Sequence, residues 1–135
     1  MKVIVDTCVW SLALRRSEPG ENEYVLELKE LIKEVRAQLI WPVRQELLSG
    51  VKSQKHFRML RGHLRAFDDI RLKSEDYELA AEYFNTARRG GVQGSNTDFL
   101  ICAISQRYNM PIFTTDKDFS NFANIFPVRL HKVRS

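Results

Sequence analysis

The sequence predicts an α/β domain: a mostly parallel sheet with helices on both faces, three layers in all. Three observations carry this. Short apolar or β-branched runs at 2–5, 38–41 and 111–114 alternate with longer stretches of helical periodicity. Hydrophobic residues make up 44% and charged residues 28% of the chain, which suits a packed core and not a disordered chain. No repeat, linker or low-complexity segment interrupts the pattern, so residues 1–135 read as one domain.

The elements follow in order. KVIV at 2–5 is a buried strand, and Asp6 can cap a helix running from Thr7 to about Arg16. Pro19-Gly20 marks a turn. Residues 22–36 place Tyr24, Leu28, Leu31, Ile32 and Val35 at helical spacing beneath a glutamate-rich face. Gln38 to Trp41 is a second strand. Pro42 then opens a helix carrying Val43, Leu47 and Leu48 that stops at Gly50. Residues 53–66 form an amphipathic helix with Phe57, Leu60 and Leu64 inside, and 67–72 a weak or edge strand. Ser74 caps a helix to 88 with Tyr77, Ala80, Ala81 and Phe84 on one face. Gly90, Gly91 and Gly94 make a flexible loop. Ser95-Asn96-Thr97-Asp98 opens a helix whose body, FLICAI, is apolar on most sides and therefore buried. PIFT at 111–114 is a strand, 115–119 a turn into a short helix, and 128–130 a last strand.

Composition excludes several functions. No apolar run nears the roughly 18 residues of a membrane span. Asp6 breaks the apolar stretch that a signal peptide needs, so a cytoplasmic location is expected. Cys8 and Cys102 make neither a disulfide framework nor a CxxC site and read as small buried hydrophobes. Net charge is +4, which permits a nucleic-acid partner without establishing one. Its distribution is uneven. Glu21, Glu23, Glu27, Glu30 and Glu34 crowd one segment, whereas Arg44, Lys52, Lys55, Arg58, Arg61 and Arg65 face only Glu46 in the next. Solvated helix faces and a phosphate-facing surface both explain this.

Four acids share one local setting. Asp6 follows the first strand, Glu46 lies in the first turn or so of the helix after the second, Asp98 opens the buried helix, and Asp116 follows PIFT. In an open parallel sheet these positions lie along one edge, where ligands bind. Singly, each has an ordinary structural role: helix cap, answer to a helix dipole, capping box with Ser95, or Asx-turn. Together they repel, and cations would neutralise them. Oxygen-only ligands suit Mg2+ or Mn2+ rather than zinc. Such clusters activate water for phosphodiester cleavage.

The ordered set V-D-T-x-V-W, E-L-L-x-G, T-D-F-L-I-C-A-I and T-T-D-K-D-F resembles PIN-domain ribonucleases, most of all the VapC-type toxins of toxin–antitoxin pairs. The resemblance spans nearly the whole chain. It implies an Mg2+-dependent endoribonuclease (Mn2+ possible) that leaves 5′-phosphate and 3′-hydroxyl ends. It implies Asp6 and Asp98 as metal ligands, and Glu46 and Asp116 as acids that bind metal directly or through water. Thr7 and Thr115 match small hydroxyl residues near the site, and Asp118 a further acid. A cognate antitoxin and a homodimer are also implied.

An acidic site needs cations elsewhere to attract RNA. The candidates are Lys52, Lys55, Arg58, Arg61, Arg65, Arg88, Arg89 and Lys117, with Arg15, Arg16 and Arg44. The antitoxin is expected in a groove between the first two helices, near Trp10, Leu12, Leu14, Tyr24 and Leu28, which are also core candidates. His56, His63 and His131 stand away from the acidic motifs. Two other readings remain: a phospho-receiver-like signalling domain, and an RNA-binding module without catalysis. The first lacks adjacent acids after the first strand. The second predicts binding indifferent to metal.

Overall fold

The computed structural model describes residues 1–14 and 22–134, so Arg15, Arg16, Pro19, Gly20 and Glu21 lie outside the described residues. At its centre stand three parallel strands, β1 (Val3–Val5), β2 (Ala37–Gln38) and β3 (Ile112–Phe113), in the order β2-β1-β3. Val3 pairs with Ala37 and Ile4 with Gln38 on one side, and Ile4 with Ile112 and Val5 with Phe113 on the other. Val3, Ile4 and Val5 are wholly buried, as a central strand covered on both faces must be.

The helices are α1 (Thr7–Leu14), α2 (Glu23–Lys33), α3 (Trp41–Leu48), α4 (Gln54–Leu64), α5 (Ser74–Arg89), α6 (Asn96–Tyr108) and α7 (Asp118–Ile125). Every residue of α6 from Phe99 to Ser105 is buried, so the helix lies inside the molecule as its apolar body foretells. Leu60 and Leu64 of α4 are buried and Phe57 is half-buried, as expected. Among the described residues no helix is long and apolar enough to cross a membrane.

Several expectations are corrected. The second strand ends at Gln38, and Trp41 is the first residue of α3 with Pro42 behind it, 68% exposed. The segments 67–72 and 128–130 contribute only single parallel bridges, Leu39 to Asp69 and Ile112 to Leu130. The α2 interior is Val25, Leu28 and Leu31; Ile32 and Val35 are exposed, because the helix ends at Lys33 and Val35 turns the chain at φ +56°. Lys73, not Ser74, caps α5, its N–H donating to Asp76 Oδ2 at 2.8 Å. Tyr77 and Ala81 face solvent while Ala80 and Ala87 face the core. Gly94 belongs to a packed turn: a Cβ there would stand 2.8 Å from Phe122 Cζ and 2.9 Å from Phe99 Cζ.

Long-range polar pins hold the layers. Asp76, wholly buried, accepts from Arg107 and from the Tyr108 hydroxyl, tying the start of α5 to the end of α6. Glu27 on α2 meets His131 Nε2 at 2.6 Å and accepts from Arg134 Nε at 2.9 Å, clasping the tail.

Candidate active site

The carboxyl ends of β1 and β3 and the neighbouring helices bring the acids to one edge of the sheet. Asp6 directly follows Val5. Its Oδ1 accepts the Thr7 N–H at 2.8 Å and its Oδ2 the Thr114 hydroxyl at 2.8 Å. The first contact begins α1; the second ties β1 to the end of β3. Glu46 lies in the second turn of α3, later than the sequence reading placed it, and its Oε1 accepts the Thr7 hydroxyl at 2.6 Å. Asp98 and Ser95 form the expected capping box: Ser95 N–H donates to Asp98 Oδ2 at 2.9 Å, and Asp98 N–H to Ser95 Oγ at 3.1 Å. Asp116 Oδ1 accepts the Asp118 N–H at 2.9 Å, which starts α7. Asp118 itself is exposed.

The electrostatics link the acids. Burial pushes the Asp6 carboxyl above its ordinary range; hydrogen bonds from Thr114 and Thr7 oppose this, and the charge of Asp98 adds to it. Burial likewise raises Asp98, against its bonds to Ser95, with the charges of Asp116 and Glu46 adding. Asp98 therefore feels the charges of Asp116 and Glu46, and its own charge acts on Asp6. One buried and one half-buried carboxyl with raised pKa values in one neighbourhood mark a site where cation binding would relieve repulsion.

The donor set is all oxygen and fits a hard divalent cation. As they stand, however, each acid is turned toward a local donor. Among the described residues no three His, Cys, Asp or Glu side chains converge on one point tightly enough to hold an ion. Holding a cation directly would therefore require these side chains to turn inward, or water to bridge part of the distance.

Other predicted residues sort out as follows. The hydroxyl against Asp6 belongs to Thr114, one residue before the expected Thr115, whose backbone N–H instead donates to Cys8 Sγ at 3.3 Å. Cys8 is not simply an apolar filler: it is half-buried, with its sulfur 3.5 Å from Asp6 Oδ2 and 3.4 Å from Thr114 Oγ1. Cys102 is buried as expected, its thiol pushed up to about 12 by burial. Lys52, Lys55, Arg58, Arg88, Arg89 and Lys117 are exposed, and none of them has an ion pair among the described residues. Arg61 is half-buried, 5.8 Å above the Phe57 ring. Arg44 is committed elsewhere, to Asp69 at 3.0 Å and to the carbonyls of Leu64 and Phe67. Trp10 and Leu28 are core, Trp10 donating to the Val5 carbonyl, and only Leu12, Leu14 and Tyr24 of the supposed groove keep part of their surface.

Residues 3–125 match the PIN domain family model, and the chain belongs to that family. No match was found among curated proteins. Three solved structures are similar over nearly their full length. FitAcB from Neisseria gonorrhoeae has 21% identity, covers 96% of both chains and has a TM-score of 0.76. VapBC-1 from nontypeable Haemophilus influenzae has 13% identity, 98% coverage of both and 0.73. VapBC2 from Rickettsia felis, bound to a DNA fragment from its promoter, has 19% identity, 97% and 98% coverage and 0.69. At these identities they establish a common fold. PIN-domain nucleases in general use divalent metal ions.

Proposed function

We propose that the protein is a metal-dependent endoribonuclease acting as the toxin of a toxin–antitoxin pair in the cytoplasm. The observation that carries this reading is the gathering of acids at the carboxyl edge of a parallel sheet, where Thr7 bonds both Asp6 and Glu46 and Thr114 bonds both Asp6 and the Asp116 N–H. Membership of the PIN-domain family supports a nuclease. The structural neighbours include a toxin–antitoxin complex from Klebsiella pneumoniae, at 20% identity and a TM-score of 0.64, which supports an antitoxin as partner.

Asp6, Glu46, Asp98 and Asp116 would hold the cation, Mg2+ or Mn2+. When bound, such an ion lowers the pKa of its water and neutralises charge on a scissile phosphate. The protein's own part is orientation. Thr114 and the Thr7 N–H fix the plane of the Asp6 carboxylate, the Thr7 hydroxyl fixes Glu46, and Ser95 fixes Asp98. Lys117, Arg88, Arg89, Lys52 just before α4, and Lys55, Arg58 and Arg61 on α4 supply the attraction for phosphates that the acids lack. The antitoxin would cover the remaining surface of Leu12, Leu14 and Tyr24, and a homodimer is the assembly we expect.

The test is cleavage of a mixed transfer-RNA and ribosomal-RNA pool with Mg2+, Mn2+ or chelator, with Asp6→Asn as control. Discrete cuts that need metal, carry 5′-phosphates and vanish in the variant are expected. Cuts that persist in chelator would overturn the metal reading.

A further inference from the structure

Cys8 lies beside the acids with its sulfur engaged on three sides. It is the second residue of α1, and the loop it meets, residues 114–117, joins β3 to α7 more than a hundred residues later. Two short relays run from that loop to one carboxylate oxygen. In the first, the Asp116 N–H donates to Thr114 Oγ1 at 3.0 Å, and the Thr114 hydroxyl donates to Asp6 Oδ2 at 2.8 Å. In the second, the Thr115 N–H donates to Cys8 Sγ at 3.3 Å, and the Cys8 thiol donates to Asp6 Oδ2 at 3.5 Å. Two successive amides therefore reach the same oxygen, each through one side-chain atom. The relays also touch, Sγ lying 3.4 Å from Thr114 Oγ1.

The relays differ in what they join. Thr114 belongs to the loop, so its bond to Asp116 is local. Cys8 grips the loop from another element. Its neighbour Thr7 holds Asp6 Oδ1 through its N–H and Glu46 through its hydroxyl. The first turn of α1 thus meets the segments that carry three of the acids. A buried filler needs only volume, and cysteine often serves as one. Here the sulfur is half-buried and both accepts and donates. An aliphatic side chain could do neither.

Resting on the nuclease reading, we infer that Cys8 is a positioning residue. It sets the distance between Asp6 and the loop that carries Asp116, and through it the affinity for the divalent cation and the rate of cleavage. Such a constellation must hold its groups to within about 0.5 Å, which a brace across two elements secures and a local turn does not. Cys8 acts through these acids and leaves RNA binding to the cationic residues.

The experiment compares the full chain with Cys8→Ser, Cys8→Ala and Cys8→Val. Mn2+ binding is read without RNA, from the loss of the free-ion paramagnetic resonance signal. Melting in chelator reports the fold, and filter retention reports RNA binding. Initial rates on the transfer-RNA and ribosomal-RNA pool give apparent kcat and KM. Cys8→Ala and Cys8→Val should weaken Mn2+ binding and lower kcat, each about five-fold, with KM and retention unchanged. Cys8→Ser can accept and donate as the thiol does, and should recover most of both. Deuterium exchange at the Thr115 amide should quicken in the Ala and Val variants and not in Ser.

A parent that binds Mn2+ and cuts RNA, with Cys8→Ala and Cys8→Val its equals in both, would overturn the inference and leave the nuclease reading intact. So would a Cys8→Ser variant as impaired as Cys8→Ala, because size and not hydrogen bonding would then matter. A lowered melting temperature with unchanged Mn2+ affinity would overturn it too, assigning Cys8 to stability alone. Should Cys8→Val fail to fold, Cys8→Ala against Cys8→Ser decides. A parent that neither binds Mn2+ nor cuts RNA would remove both readings.

Discussion

The Thr114 hydroxyl donates to Asp6 Oδ2 at 2.8 Å, and the Thr114 Oγ1 itself accepts the Asp116 N–H at 3.0 Å. One side chain therefore joins the acid after β1 to the loop that carries the acid after β3. Thr114→Val keeps the shape and removes the donor. A hydrogen bond to a charged group contributes roughly 1.5–3 kcal/mol. Cleavage by Thr114→Val should fall about ten-fold or more, with weaker apparent metal affinity, while Thr114→Ser stays near the parent. Metal titrations of initial rate check this.

Asp98→Asn should stabilise the fold. Burial and the neighbouring charges hold the Asp98 carboxyl above its ordinary value. A carboxyl raised in the folded state is disfavoured there once ionised, so its ionisation weakens the fold above the folded pKa. The variant can keep the bond from Ser95 without the charge. Its melting temperature at pH 7 should exceed the parent's by roughly 1–4 °C. The gap should shrink as the pH falls through the folded pKa and the parent's carboxyl takes up its proton. Mg2+ should raise the parent's melting temperature more than the variant's.

Glu27 works in the opposite sense. Burial would raise its pKa, but the bonds and charges of Arg134 and His131 outweigh burial and hold it below the ordinary 4.5. Its stabilising contribution is present above that value and lost as the pH falls through the lowered one. Arg134→Ala removes two of the donors to Glu27 and should lower the urea midpoint at pH 7. In urea unfolding the deficit should close as the pH falls through the lowered folded-state value, once Glu27 is protonated in both states.

Gly94→Ala should destabilise through packing. The new methyl would meet Phe122 and Phe99, both rings held in the core. Overpacking of this kind costs about 1–3 kcal/mol. Because Ser95 follows directly, cleavage should also fall as the cap on Asp98 shifts. A lowered urea midpoint with unaltered slope, and a lower rate under folding conditions, would bear this out.

The positions of Asp6, Asp98 and Asp116 were legible in the chain because strand ends and helix starts carry local signals, whereas Glu46 sits a turn further along α3 than those signals place it. The capping box at Ser95 and Asp98 was legible for the same reason, being a contact three residues long. Thr114 was not distinguishable from Thr115, since only the observed turn of the chain after β3 decides which hydroxyl faces Asp6. The run Gln38 to Trp41 is apolar throughout and hides where the strand stops. Pro42, as the second helical residue, draws Trp41 into α3 and out to solvent. Arg44 looked like a free cation because its partners, Asp69 and the carbonyls at 64 and 67, lie some twenty residues on. Asp76 gave no signal at all, its partners Arg107 and Tyr108 meeting it only in the fold.

The central claim is that these carboxylates perform chemistry and do not merely cap helices. Asp98→Asn tests it most directly, because the variant keeps the capping geometry and loses the charge. RNA retention and RNA cleavage are to be measured side by side in Mg2+. The account predicts that the variant binds RNA as the parent does and makes no cuts. Equal cleavage by variant and parent would contradict it.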